Sequence, residues 1–357
     1  MATYQGITGN TYSTITPALG VGTEGEVFAL QGNANLVAKI FKSHCRTDAR
    51  RRKLETMIGS PFPLSAMQQV TWPTDVLFAN GDFAGYVEIK LNQNTSLSEI
   101  HVPMGKFKDL RFSDRISIAS SLCVAINAVH NAGQVCGDLN PHNIVVDPIN
   151  KKIVLVNTDS YHITANDGRI FRCTIALGEY LPAEIQHIIT GGFTLDNAPL
   201  PTFSKESDFF AMAIHIFRLL MNGCHPYSSA VSDSAFQQMP CDSIGSGFTP
   251  FFQCAPHLST PSFAPPITSL PPTIQELFYK AFVLGHQSPI SRPSTVEWYH
   301  ALEYMKTQLT VCVKKKNHQY SSHLSTCPWC EIEHHIPGEN KNKLTGMETL
   351  RHKTKKN

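Results

Sequence analysis

The run Asp138-Leu139-Asn140-Pro141-His142-Asn143, leading straight into Ile144-Val145-Val146-Asp147, constrains this 357-residue chain more than any other segment. An Asp and an Asn five residues apart, on a loop that feeds an apolar strand, can face one site. The carboxylate can accept a hydroxyl proton, and the amide oxygen can hold a metal ion. A second β-type run, Lys152 to Val156, ends at Asn157-Thr158-Asp159-Ser160. Asp159 then offers a further oxygen ligand of the kind Mg²⁺ prefers.

A phosphate-binding element stands upstream. Gly20-Val21-Gly22-Thr23-Glu24-Gly25-Glu26-Val27 spells G-x-G-x-x-G-x-V. Alone this is weak, since the same spelling opens dinucleotide-binding folds and many hairpins. The dinucleotide version needs a helix directly after the glycines. Here Val27-Phe28-Ala29-Leu30 follows, then Gly32-Asn33 and Leu36-Val37-Ala38-Lys39-Ile40-Phe41, so the loop lies between strands. Backbone N–H groups in such a loop can close over phosphates. Lys39 sits fourteen residues after Gly25 in an apolar strand. It could merely extend its charge to water, but its distance from the loop favours a cation held against phosphates. Glu55, in an expected helix over 46–58, is the best anionic partner for it, with a solvated helix charge as the alternative.

The texture changes along the chain. The first ninety residues read as strands, with a further one at Tyr86 to Leu91. A helix is expected from Asp114, its N-cap, to Asn131, with Ile116, Ala119, Cys123, Ile126 and Val129 on one face. The stretch 208–222 is apolar nearly all round, as in a helix buried in a larger domain. Residues 240–272 are rich in Pro, Ser and Phe and read as a long surface insertion, and an amphipathic helix is expected over 273–284.

In order, the glycine loop, strand lysine, D-x-x-x-x-N and strand-terminal Asp resemble the eukaryotic-like (Hanks-type) protein kinases. Leu181-Pro182-Ala183-Glu184 resembles the close of the activation segment. Asp208-Phe209-Phe210-Ala211 resembles the buried helix that anchors the catalytic loop, and Arg292 the late arginine that pairs with Glu184. The resemblance covers about residues 15–306. It implies an α+β, two-lobed protein-kinase-like fold with ATP and Mg²⁺ as cofactors. Asp138 would be the base, with Lys39, Asn143 and Asp159 completing the catalytic set. Asn143 and Asp159 would hold Mg²⁺. Gly20, Gly22, Gly25, Val27, Lys39, Glu55, Glu88 and Lys90 would surround the nucleotide. The expected activity is Mg·ATP-dependent phosphorylation of a protein serine or threonine. The alternatives are a pseudokinase that binds nucleotide and acts as a scaffold, and a small-molecule phosphotransferase of kinase-like fold.

The spellings Trp72-Pro73, Thr158-Asp159-Ser160 and Cys327-Pro328-Trp329-Cys330 are similar to a bacterial branch with a C-terminal zinc motif. That branch resembles the kinase of tellurite-resistance-type phosphorylation triads, whose members often carry a helix-hairpin-helix region. The implied partners are a protein substrate, a von Willebrand A-type protein and a PP2C-type phosphatase. The chain departs from the kinase pattern at Cys136-Gly137, in place of His-Arg before the catalytic Asp, at Asn140, at Ser160-Tyr161 and at Leu177. Without the arginine, nothing at 137 can clasp a phosphorylated activation loop.

Cys312-x5-His318-x8-Cys327-x2-Cys330 has the ligand types and number of a tetrahedral structural zinc site, with His323 as the alternative nitrogen donor. The expected division is residues 1–92 as an ATP-binding lobe, 93–306 as a catalytic lobe, 307–334 as a zinc module and 335–357 as a disordered tail. Formal net charge is only +2, which advertises neither a nucleic-acid nor a membrane surface. The start of the chain lacks a secretory layout and no apolar run reaches the ~18 residues of a membrane span. A cytoplasmic location is therefore expected.

Overall fold

The computed structural model describes residues 1–62, 68–92, 95–102, 105–230, 240–252 and 259–335. The expected disordered tail lies outside these residues, apart from the last helical residue, His335.

Six strands make a closed antiparallel barrel near the N-terminus. They are β1 (Thr3–Gly6), β2 (Thr11–Val21), β3 (Gly25–Leu30), β4 (Asn33–Phe41), β5 (Asp75–Ala79) and β6 (Asp82–Ile89), in the order β1-β2-β3-β4-β6-β5. Such a barrel is compatible with a kinase N-terminal lobe. Val27 pairs with Lys39, and Lys39 with Tyr86, so glycine turn, lysine and tyrosine share one part of the wall. Gly25 is required there: a Cβ on it would come within 2.4 Å of the Ile40 carbonyl oxygen.

Helix α1 (Asp48–Gly59) leans on the barrel. Thr47 caps it by accepting from the Arg50 N–H, and Lys53, Leu54 and Met57 are its buried residues. Trp72 fixes its far end by donating Nε1–H to the Met57 carbonyl at 2.8 Å.

The strand β7 (Thr95–Ser96) and α2 (Leu97–His101) lead into α3 (Phe112–Asn131). Among the described helices α3 alone is long and apolar enough, by length and mean hydropathy, to cross a membrane. It is the central helix of the core instead. Leu122, Ala125, Ile126 and Val129 are inaccessible. A three-stranded sheet, β7-β8-β9, with β8 (Ile144–Asp147) and β9 (Lys152–Leu155), carries the D-x-x-x-x-N loop at its entrance. Two short strands, β10 (Ile163–Thr164) and β11 (Ile170–Phe171), precede α4 (Ala183–Thr190) and the buried α5 (Lys205–Leu220). Then come α6 (Pro240–Ser246), α7 (Pro272–Tyr279), α8 (Gly285–Gln287) and α9 (Thr295–Thr307). A π-helical stretch, Lys280–Leu284, continues α7 to the expected end.

The segment 240–272 is no simple surface insertion. Ile244, Phe251 and Leu270 are buried, and Phe251 meets Phe217 of α5 edge-on at 4.8 Å. Its prolines shape short turns between apolar side chains that belong to the core. The chain's last described part is the hairpin β12 (Leu309–Val311) and β13 (Gln319–Ser321) followed by α10 (Pro328–His335).

Candidate functional site

Asp208, near the start of α5, holds the D-x-x-x-x-N loop from below. Its Oδ2 accepts from the Cys136 N–H at 2.8 Å and its Oδ1 from the Gly137 N–H at 2.9 Å, while His130 Nε2 lies 2.8 Å from Oδ2. His215 adds a contact of 2.7 Å to the Leu139 carbonyl. A buried carboxylate serving two backbone donors fixes loop conformation strongly, because each loss would leave a buried polar group unmade.

The loop thus aims Asp138 and Asn143 inward, and both are buried. Asp138 Oδ2 accepts from Asn140 Nδ2 at 2.8 Å and Asn143 Nδ2 at 2.9 Å. Oδ1 accepts no hydrogen bond of normal geometry, although the Leu177 N–H faces the carboxylate. Burial raises the Asp138 pKa, with the two amides pulling the other way. Asn140 was not among the expected site residues, yet it is one of the two groups that orient Asp138. Its position two residues after Asp138 was the available signal.

Asn143 Oδ1 accepts from Asn157 Nδ2 at 2.8 Å. Asn157 is left-handed (φ 55°) and starts the turn that presents Asp159, so one amide bridge joins the two loops. Asp159 is buried and pairs with Lys39 Nζ at 2.8 and 3.0 Å. Tyr86 donates to Asp159 Oδ1 at 2.9 Å. Burial opposes the Asp159 charge, but Lys39 and Tyr86 outweigh it and hold the carboxyl below its ordinary range.

Glu55 does not position Lys39. It pairs with Arg51 at 2.6 Å, one helical turn back on α1. The inward face of α1 carries Arg50 and Lys53 instead. Arg50 Nη2 lies 2.5 Å from Glu24 Oε1 of the glycine turn. Burial opposes the Arg50 charge, but Glu24 and, less strongly, Asp159 raise its pKa. Glu88 lines the same region; burial pushes its carboxyl up to about 7, against the pull of Lys39. Lys90 is half-buried beyond β6 and donates its N–H to the Asn35 carbonyl at 2.8 Å. Gly22 N–H closes the turn on the Gly25 carbonyl at 2.8 Å, and a Cβ on Gly20 would meet nothing within 4 Å. The expected Glu184–Arg292 pair is present and bidentate, at 2.6 and 2.8 Å.

A second cluster lies near the end of the described chain. One ligand atom from each of Cys312, His318, Cys327 and Cys330 falls within 4.8 Å of the others. The Cys312–Cys330 sulfurs are 3.7 Å apart, and His318 Nδ1 lies 3.6 and 3.5 Å from the Cys327 and Cys330 sulfurs. A zinc tetrahedron with ordinary bond lengths has S···S edges of about 3.8 Å and S···N edges of about 3.6 Å. The four residues therefore fit zinc in both chemistry and spacing. His318 Nε2 lies 3.4 Å from Glu333 Oε1, the carboxylate support usual behind a ligating histidine. His323, the alternative donor, instead contacts Ser321 Oγ and the Thr268 carbonyl.

No protein-family model matches the chain. It is 25% identical over 339 residues to protein kinase YegI of Escherichia coli K12, an alignment that covers 90% of this chain and 49% of that protein. Protein kinase YegI of Escherichia coli O157:H7 is likewise 25% identical over 339 residues, covering 89% of this chain. The chain spans about half the length of the curated relatives it matches. This similarity supports a bacterial kinase.

Proposed function

We propose that this chain is a Mg·ATP-dependent protein serine/threonine kinase, acting in the cytoplasm on a protein substrate. The observation that carries the reading is Asp138. It is a buried carboxylate with one oxygen clamped by two amides and the other making no normal hydrogen bond. Asn143 and Asn157 tie it to the turn that bears Asp159. A buried carboxylate oxygen without a normal hydrogen bond is placed to accept one from a bound hydroxyl.

On this reading residues 1–92 carry the nucleotide and 93–306 carry the chemistry. Asn143 and Asp159 supply the oxygen donors for Mg²⁺, which when bound neutralises phosphate charge. Lys39, released from Asp159, takes up phosphate oxygens. Asp138 accepts the proton of the substrate hydroxyl as its oxygen bonds to the γ-phosphorus and the bond to the ADP leaving oxygen breaks. The 307–334 module holds zinc through Cys312, His318, Cys327 and Cys330. By resemblance, a von Willebrand A-type protein and a PP2C-type phosphatase are partners.

The test is incubation with γ-labelled ATP and Mg²⁺, alone and with candidate substrate proteins, beside Asp138→Asn. Label in protein serine or threonine that disappears in the variant supports the reading. One observation favours a second reading. Lys39 and Tyr86 occupy the carboxylate that a metal would need, as a nucleotide-binding scaffold would tolerate. Nucleotide binding without any phosphoryl transfer would select that scaffold.

A further inference from the structure

We propose that Arg50 of α1 is a phosphate-binding cation of the nucleotide site, and that Glu24 at the glycine turn is its resting counter-ion. This rests on the nucleotide-binding reading above and assigns it a residue that the resemblance does not.

The argument starts from the face of α1. Where the resemblance implies a helix carboxylate turned toward Lys39, Glu55 is engaged by Arg51 on its own helix. The helix offers the barrel positive charge instead. Arg50 lies over the Phe41 ring with its guanidinium carbon 4.6 Å from the centroid, and Lys39 Nζ is 5.5 Å from the same centroid. Two cations therefore flank one aromatic ring beneath the glycine turn. Among the described residues each has one ion-pair partner within 4 Å, Asp159 for Lys39 and Glu24 for Arg50, with Asp159 also acting on Arg50 and Glu88 lying near Lys39.

Both carboxylates have reason to let go. Asp159 is the expected metal ligand. Glu24 sits on the turn itself, half-buried, and can swing to water without disturbing the barrel. Only Nη2 of Arg50 reaches Glu24, while Nη1 donates to the Cys45 carbonyl at 3.4 Å; a phosphate oxygen can take the place of Glu24 on Nη2 as a charge-assisted acceptor. Mg·ATP brings negative charge into a cleft where Lys39, Arg50 and the buried Lys53 face Asp159, Glu24 and Glu88. With Asp159 serving as a metal ligand and Glu24 swung to water, Lys39 and Arg50 would both be free to take phosphate oxygens. Lys53, fully buried, donates to the Arg172 carbonyl at 3.2 Å and stays with the segment after Asp159.

A purely structural latch between turn and helix is the competing explanation, and it predicts a different pattern. If the pair only pins the turn, loss of either partner weakens nucleotide binding alike. If Arg50 binds phosphate, loss of Glu24 removes a competitor.

Calorimetric affinities for Mg·ATP and for adenosine should be measured with wild type, Arg50→Gln, Arg50→Lys and Glu24→Gln. Arg50→Gln should lose about tenfold or more in Mg·ATP affinity, the worth of one charge-assisted hydrogen bond, and leave adenosine binding unchanged. Arg50→Lys should recover part of the loss. Glu24→Gln should bind Mg·ATP at least as tightly as wild type; it lies on the turn, so the test survives even if Arg50→Gln folds poorly. Equal weakening in Glu24→Gln and Arg50→Gln, or an Arg50→Gln protein with wild-type Mg·ATP affinity, would overturn the assignment. A wild-type chain that binds no Mg·ATP would overturn the nucleotide-binding reading itself, and this assignment with it.

Discussion

Gly137 lies directly against Cys173: a Cβ built on Gly137 would stand 2.9 Å from Cys173 Cβ and 3.0 Å from its sulfur. Gly137 also has φ +76°, a conformation that side chains rarely adopt. The position just before Asp138 is thus filled by the neighbouring segment. Cys173 in turn belongs to an apolar cluster with Leu181, Ile185, Leu195 and Phe203. Burial of Cys173 and Leu181 in that cluster helps hold the segment between Asp159 and Glu184 in place.

Activity should therefore not depend on phosphorylation of that segment. Phosphatase-treated protein is expected to keep its initial rate of phosphoryl transfer, and a large fall would show another cation reading a phosphate there. Gly137→Ala should destabilise the fold by about 1–3 kcal/mol, through overpacking against Cys173 and the unfavourable φ. Its melting temperature should fall accordingly.

Replacement of Asp138 separates chemistry from binding. Asp138→Asn should lower phosphoryl transfer by ~10²–10⁴, the usual cost of removing a general base. Nucleotide affinity should hold, because Asp138 contacts Asn140 and Asn143 and not the Lys39 region. Turnover near wild type would remove Asp138 from the mechanism.

Lys39 and Asp159 form a buried pair, so Lys39→Ala or Asp159→Ala should each cost about 3–5 kcal/mol by stranding the other charge. Mg·ATP should then raise the melting temperature of either variant far less than that of wild type. The pair also has a pH signature. Since the Asp159 carboxyl is held below its ordinary range, its contribution is complete above the unfolded carboxylate pKa of about 4. It is lost as pH falls through the lower folded value. Acid melting curves should show that loss in wild type and not in a Lys39→Met/Asp159→Leu double variant.

Much of this arrangement was legible in the residues. Asn143 directly precedes the apolar run Ile144–Val146, and Asp159 follows the run Ile153–Val156 by three residues, so the strand ends located both loops. Asp208 and the Glu184–Arg292 pair were readable through the kinase resemblance, and the structure buries Asp208 and pairs Glu184 with Arg292. Glu55 was misread because α1 is mostly charged and its short apolar face, Leu54, Met57 and Ile58 at i, i+3, i+4, was not extended back through Arg50 and Lys53. Which of Arg50, Lys53 and Glu55 turns inward is set by Trp72 holding Met57 and by Phe41 under Arg50, contacts distant in sequence. The 240–272 segment failed similarly. Its prolines suggested surface, while the burial of Phe251 against Phe217 is a tertiary fact.

Lys53 gives a second pH effect, of opposite use to the experimenter. It is buried, and desolvation lowers its pKa from 10.5 to about 8. The unfolded chain holds that proton to higher pH than the folded chain. Between the two values the unfolded state binds more protons, so rising pH favours folding. Below about 8 both states are protonated and the folded one bears the full desolvation cost. Lys53→Met should therefore melt higher than wild type at pH 7. The advantage should shrink as pH rises from about 8 toward 10.5. An advantage constant across that range would mean that Lys53 acts through packing alone.

The cysteine–histidine cluster yields the last prediction. The segment from 307 onward buries little of its own: Cys312, His318, Ser321, Cys327, Pro328 and Ile332 are its only buried side chains among the described residues. So small an apolar yield cannot hold a segment of this length, whereas zinc binding in such modules is folding free energy. The segment is also tied to the main core. Trp329 packs edge-on against Phe112 at 5.2 Å and donates to the Gln319 carbonyl, while Gln319 Oε1 accepts from the Ser113 N–H at 3.0 Å. The purified protein should hold about one zinc per chain by elemental analysis. Cys327→Ser and Cys330→Ser should lose the metal and open the 309–335 region to limited proteolysis. Both should still bind nucleotide, because Lys39, Asp138, Asn143 and Asp159 are held by contacts that do not involve the module. A second, smaller effect follows from Trp329: with the module loosened, the edge of α3 at Phe112 is uncovered, and the melting temperature of the whole chain should fall by a few degrees. Wild-type protein that is folded and free of metal would refute the zinc site. Loss of nucleotide binding together with the metal would instead make the module part of the catalytic unit.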